Sequence, residues 1–249
     1  MSEEFLSSRS LLSLLQWCDS LFPTGAFSHS FGLESAVQSG RVHDGGSLRS
    51  WIEAKLIQTV LPMDAVLLSQ AHRAADRQEL ETLRRLDAEG FAMRIPRECR
   101  EGGKMIALRL IQSAAELHPS PWMLECFEAL RDGALKGDPA VAFGIAGSGA
   151  GIPQTPTLLG YLYIFVAGQV SAGLRLFPLG QREGQRLIRE LLDQIDRDMV
   201  SAAPENHSPK VKERLAVLDD PDRRPSSFAP ALEIGAMRHE SAAVRLFQS

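Results

Sequence analysis

The sequence predicts an all-α protein, a single-domain helical bundle, and three observations carry that expectation. Apolar residues recur at three- and four-residue spacing along nearly all of the chain, the period of a helix that buries one face. No segment shows a convincing alternation of apolar and polar residues, the mark of a half-exposed strand. Prolines fall between the periodic stretches, at Pro62, Pro96 and the His118–Pro121 break, where they punctuate helices.

In chain order, Leu11, Leu12, Leu14, Leu15 and Cys18 form a first apolar stripe. The spacing predicts a helix over 47–61, with Ser47 as N-cap and Leu48, Trp51, Ile52, Leu56 and Val60 on one side. Pro62 ends that helix and opens the next, which carries Val66, Leu67, Gln70 and Ala71. Residues 76–89 are dense in charge above a thin apolar face of Leu80, Leu83 and Leu86, and read as a solvated helix laced with ion pairs. A helix follows Pro96 through Met105, Leu108, Leu110 and Ile111, and a shorter one covers 122–135. Residues 140–152 are rich in alanine and glycine, so tight helix packing is expected there. The stretch 157–177 is expected to be the central apolar helix. Residues 181–202 form a long amphipathic helix, with Leu187, Ile188, Leu191, Leu192, Ile195 and Met199 at helical spacing. Residues 204–230 are proline-rich and are expected to be extended or loosely ordered. A tail over 237–249 regains some helical pattern. No repeat appears and no linker separates two cores, so one domain over 1–249 is expected.

Charge and composition narrow the function classes. The formal net charge is −4 with both signs mixed along the chain, so no positive stripe follows a phosphate backbone and no nucleic-acid partner is expected. Cys18, Cys99 and Cys126 are odd in number and lack C-x-x-C spacing, which fits a reduced, cytoplasmic setting. The N-terminus carries acids where a secretory signal needs a basic start. No charge occurs between Asp138 and Arg175, but prolines and glutamines interrupt that region. A buried helix is expected there, with no membrane span, since a span needs about 20 continuous apolar residues.

Enzyme signatures fail. Gly102-Gly103-Lys104 is followed by Met105 and lacks the upstream glycine of a phosphate-binding loop. Gly147 to Gly151 follows no strand and misses the dinucleotide spacing. No two of the six histidines stand four apart, the helical metal spacing. Cys18, His29 and His239 are soft or borderline ligand types, but no spacing joins them. No catalytic residue, metal site or stably bound cofactor is therefore expected.

The most unusual local sequence runs from Trp17 to Glu34, WCDSLFPTGAFSHSFGLE. It reads as a helix, closed with help from Asp19 or Ser20, then a Pro-Thr-Gly turn and a second helix holding His29 and Glu34. That pair is open to two readings, proton transfer or a hydrogen-bonded buried corner. The lack of a third catalytic group nearby favours the corner.

This segment resembles the N-terminal signature of the UreF family of urease accessory proteins, in Asp19, Ser20, Phe22, Pro23, Gly25, Ala26, Phe27, His29, Ser30, Gly32, Leu33 and Glu34. Further resemblance follows in order. Arg100 to Leu110 is similar to the family's central helix, and Pro139 to Gly144 to its P-x-x-F-G stretch. Arg175 to Gln181 with Gly184-Gln185 is similar to its R-L-x-P-L-G-Q-x-x-G-Q block. His239-Glu240 with Arg245 to Ser249 is similar to its H-E-x-x-x-x-R-L-F-x-S terminus. Residues 204–230 depart most from the pattern.

The resemblance implies an all-α scaffold that is not an enzyme. It implies a UreD/UreH-type partner and a homodimer that recruits a UreG-type, nickel-carrying GTPase. The assembled complex then passes nickel to apo-urease. It also implies a partner-binding role for Arg245, Leu246 and Phe247, since arginine and aromatic residues anchor interfaces. The alternative is a tail folded onto its own core. Pro178, Leu179, Gly180 and Gln181 either touch a partner or simply turn the chain between two helices. Small-residue stretches at 140–151 and 168–173 also suggest the homodimer. An arginine lent to the GTPase would come from Arg94, Arg97 or Arg100. The alternative function is a UreF-like helical regulator of a different GTPase.

Overall fold

A computed structural model describes residues 6–200, 220, 223–242 and 244–248. The helices are α1 (Ser8–Cys18), α2 (Leu33–Gln38), α3 (Gly45–Lys55), α4 (Ala65–Asp76), α5 (Leu80–Met93) and α6 (Arg97–Leu117). They continue with α7 (Pro121–Arg131), α8 (Pro139–Gly149), α9 (Gln154–Leu176), α10 (Gln181–Val200) and α11 (Pro230–Arg238). A π-helical segment, Leu56–Asp64, joins α3 to α4, and short 3-10 turns lie at Ala26–Ser28 and His239–Ser241. The fold is all-α, with no strand among the described residues. Most of the proline-rich stretch, the Met199 side chain and Ser249 fall outside the described residues.

Several boundaries differ from expectation for local reasons. Asp44, not Ser47, caps α3: its Oδ1 accepts from the Ser47 N–H at 2.7 Å, and the Ser47 hydroxyl accepts from the Asp44 N–H at 3.1 Å. Ser47 is thus the third residue of a reciprocal capping box. The charged helix starts later than residue 76, because α4 ends at Asp76 and Gln78 adopts φ 56° before α5 begins at Leu80. The tail is helical only in α11 and the following 3-10 turn; residues 244–248 are not.

Pro62 does not end a helix. Lacking an N–H, it would leave the Gln58 carbonyl without its α-helical partner. The wider π turn absorbs the proline. A donor from elsewhere also arrives, as the Phe228 N–H reaches the Gln58 oxygen at 3.3 Å. The Ser226 N–H donates to the Pro62 oxygen at 2.9 Å, and the Gln70 side chain donates to the Arg223 oxygen at 2.6 Å. Residues 223–228 are thereby strapped along the continuous α3–α4 rod.

One hydrophobic core draws on side chains from Leu14 to Phe247. Within it, α8 packs most extensively against α4 and α6. Every residue from Ala140 to Gly147 is buried. Gly144 lets α8 approach the α4 backbone, because a Cβ there would stand 2.6 Å from the Leu68 oxygen. The apolar α9 packs on α1, α8 and α10, while Leu159, Tyr163 and Gly168 on it face outward. It is long and apolar enough to cross a membrane, and half of its most apolar window is buried within the chain.

A charge network lies inside this core. The Asp138 Oδ1 caps α8, accepting from the Ala140 and Val141 amides at 2.9 and 3.1 Å. Its other oxygen accepts from Arg94 Nε at 2.7 Å. Arg94 Nη2 reaches Asp64 at 2.9 Å, and the Tyr161 hydroxyl donates to the second Asp64 oxygen at 2.9 Å. Burial disfavours the guanidinium charge, but Asp138 and Asp64 outweigh it and hold Arg94 firmly ionised. Asp87 on α5 gathers the Lys136, Gly137 and Asp138 amides on the loop before α8. Removing one partner strands buried charge, which costs more than the intact pair contributes. Arg94→Ala is expected to destabilise the chain by about 3–5 kcal/mol in urea denaturation. A loss below about 1 kcal/mol would show that Asp64 and Asp138 are answered without it.

Candidate functional site: the seat of the C-terminal tail

The Trp17–Glu34 segment folds into a shaped corner. Asp19 closes α1, its Oδ1 accepting from the Leu21 N–H at 2.7 Å. Ser20 and Pro23 are exposed on the turn, and Gly25 at φ 76° opens the 3-10 turn. His29 is extended backbone, not helix, and stacks on Phe31 with ring centroids 5.6 Å apart. Helix α2 starts only at Leu33, so the expected placement of His29 and Glu34 on one helix does not hold. Gly32 precedes it at φ 88°, where a Cβ would lie 2.9 Å from the Ala236 Cβ of α11. Behind the corner, Gln169 accepts from the Trp51 indole at 3.0 Å and donates to the buried Ser30 oxygen at 3.2 Å.

Glu34 is 3% exposed and faces the far end of the chain. Its Oε2 accepts from His239 Nε2 and from the Phe247 N–H, each at 3.0 Å. Its Oε1 accepts from the Leu246 N–H at 2.7 Å. Burial alone would raise this carboxyl; the bonds from His239, Leu246 and Phe247 outweigh burial and hold it below the usual carboxylate range.

Other elements complete the seat. Glu98 on α6 meets His239 Nδ1 at 2.6 Å through one oxygen and Arg245 at 2.7 Å through the other. The Gln38 amide donates to the Val244 oxygen at 3.0 Å, and the Gln248 N–H donates to the Ser28 oxygen at 2.9 Å. The guanidinium of Arg175 on α9 sits 3.7 Å from the Phe27 ring centroid and 4.3 Å from that of Phe247. Phe247 is 4% exposed, while Leu246 is 64% and Val244 78% exposed. The tail is therefore pinned by its backbone and by Phe247, and it offers alternate aliphatic side chains to solvent.

Of the residues singled out in sequence, Gly32, Glu34, His239, Arg245, Leu246 and Phe247 converge here. Glu240 sits at the rim, paired with Arg97 at 3.1 Å. Pro178, Gly180 and Gln181 are exposed and Leu179 half-buried in the α9–α10 junction, beyond Arg175. Sequence reasoning missed Glu98, Gln38 and Arg175 as site residues. Arg175 opens the R-L-F-P-L-G block that pointed to Pro178–Gln181, whereas Glu98 and Gln38 carry no local signal. Arg94 is committed to the core, and Arg100 donates to the Arg94 oxygen at 3.0 Å. Cys18 and His239 lie in different places, and no three His, Cys, Asp or Glu side chains among the described residues are set to hold a metal ion.

Glu34→Gln keeps the shape but loses the acceptor-only carboxylate. It is expected to cost about 1.5–3 kcal/mol, as for hydrogen bonds to a charged group. A lowered carboxyl contributes stability above its ordinary range and loses it as pH falls through the lowered value. The gap between native and variant should therefore close on acidification, as read by denaturation at stepped pH. A gap independent of pH would contradict this assignment.

Comparison with known proteins accords with these features. A family model described as UreF matches residues 42–192. A urease accessory protein UreF from Lachnoclostridium phytofermentans is 32% identical over 239 residues, covering 96% of this chain and 98% of that protein. By both matches the chain belongs to the UreF family of urease accessory proteins.

Proposed function

We propose that this chain is a non-catalytic, cytoplasmic scaffold in urease maturation, bridging a UreD/UreH-type partner and a UreG-type GTPase so that nickel, the cargo, enters apo-urease. The coarser role in urease maturation follows from the family. The observation that carries the finer reading is the pinned tail. Its backbone amides are spent on Glu34, and the exposed Val244 and Leu246 are held in fixed register, as an interface anchor requires. Within the block Arg245–Phe247, Arg245 and Phe247 serve the seat, and Leu246 serves the partner. Commitment of the Glu34 carboxylate to the tail also argues against its service as an acid or base with His29. Pro178, Gly180 and Gln181, exposed at the α9–α10 junction, are proposed as a second contact. For a homodimer, α8 is enclosed by its own chain, which leaves the outward face of α9 around Gly168.

Deleting the gene in its host should leave inactive, nickel-poor urease, and restoring it should recover both activity and metal. The double variant Val244→Asp, Leu246→Asp alters only outward side chains. It should keep the native circular dichroism yet fail to restore urease. Full urease activity in the deletion strain, or full rescue by the double variant, would overturn the reading.

A further inference from the structure

His239 has no exposed surface, and its two ring nitrogens meet different carboxylates. Nδ1 lies 2.6 Å from Glu98 Oε2, and Nε2 lies 3.0 Å from Glu34 Oε2. A neutral imidazole carries one N–H and a charged one carries two. Only the charged ring donates to both acids; a neutral ring turns a lone pair toward one of them. The same two acids hold the tail, through Arg245 and through the Leu246 and Phe247 amides. Charge meets the ring from Glu34 on α2 and Glu98 on α6; Glu98 in turn holds Arg245 and lies within electrostatic reach of His29, and the Arg97–Glu240 pair stands at the rim. Two acids against one arginine leave one negative charge, which the charged ring cancels.

We propose that His239 is a protonation-controlled pin, whose charged ring locks residues 244–248 onto the bundle and whose neutral ring releases them. The exposed aliphatic pair on the tail is then presented only while the pin is charged. This holds whatever partner the tail serves. The lock has two edges. It is lost when the ring gives up its second proton, because a neutral imidazole has one N–H for two acids. It is lost again in acid, when Glu34 takes up a proton below the usual carboxylate range. The tail is held most firmly between these edges.

The test follows hydrogen exchange of the Leu246 and Phe247 amides in the full chain, corrected for intrinsic pH dependence, beside the ring 15N shifts of His239. Protection should fall by about ten- to a hundredfold over the pH interval in which the ring loses its second proton, the weight of a charge-assisted hydrogen bond. In Glu98→Gln, the new amide can donate to the neutral ring while its oxygen still accepts from Arg245. That variant should lose the alkaline edge and keep the acid one. His239→Gln, which cannot titrate, should also lose the alkaline edge. Native protection that ignores the ring's titration, or an alkaline edge that persists in either variant, would overturn the proposal.

Discussion

The Glu34 carboxylate is buried, and a buried carboxylate must be answered by donors. Three of its donors come from residues more than 200 positions away: the His239 ring and the amides of Leu246 and Phe247. This one group decides where the chain's end lies. It ties α2 to α11, places His239 against Glu98 on α6, and brings Phe247 onto Arg175 of α9. An arginine within reach of two aromatic rings gains from each while its N–H groups stay paired with the Phe27 and Ser171 carbonyls. The outcome is a peptide end with an ordered inner edge and an aliphatic outer edge.

The second constraint is deeper and serves the first. Asp138, Asp87, Asp64 and Arg94 fix the start of α8 against the end of α5 and the π segment, and Arg100 of α6 donates to the Arg94 carbonyl. Glu98 lies in the first turn of that same α6. Through Arg100 the core network is tied to the helix that carries Glu98 of the tail seat. Close contact of α4 and α8 through Gly144 keeps the rod that carries residues 223–228, and this segment leads into α11. Packing, charge pairing and tail placement form one chain of dependence.

Much of this was legible in the sequence, and the failures have physical causes. Helical periodicity gave the all-α fold because each helix buries one stripe, and the small residues of 140–149 rightly read as close packing. The rule for Pro62 failed because it treats a missing α-helical bond as the end of the helix, whereas a wider π turn carries the chain past it and the Phe228 amide braces that turn from across the fold. The N-terminal motif led to Glu34, but its spacing pointed to His29, five residues away, when the true partner is His239. Glu98 left no trace at all: one acid on a helix face is silent until two distant residues meet it. The family model, covering 42–192, likewise stops short of Glu34 and of the tail, so their pairing emerges only in three dimensions.

Glu34 and His239 act as one unit in seating the tail. A double-mutant cycle with Glu34→Gln, His239→Gln and both together, read by urea denaturation of the full chain at neutral pH, tests it most directly. The double variant should lose less than the sum of the single losses, by about 1–3 kcal/mol, as for groups in one buried network. Losses that add to within about 0.5 kcal/mol would mean that the two residues act independently and that the tail is not seated by them as a pair.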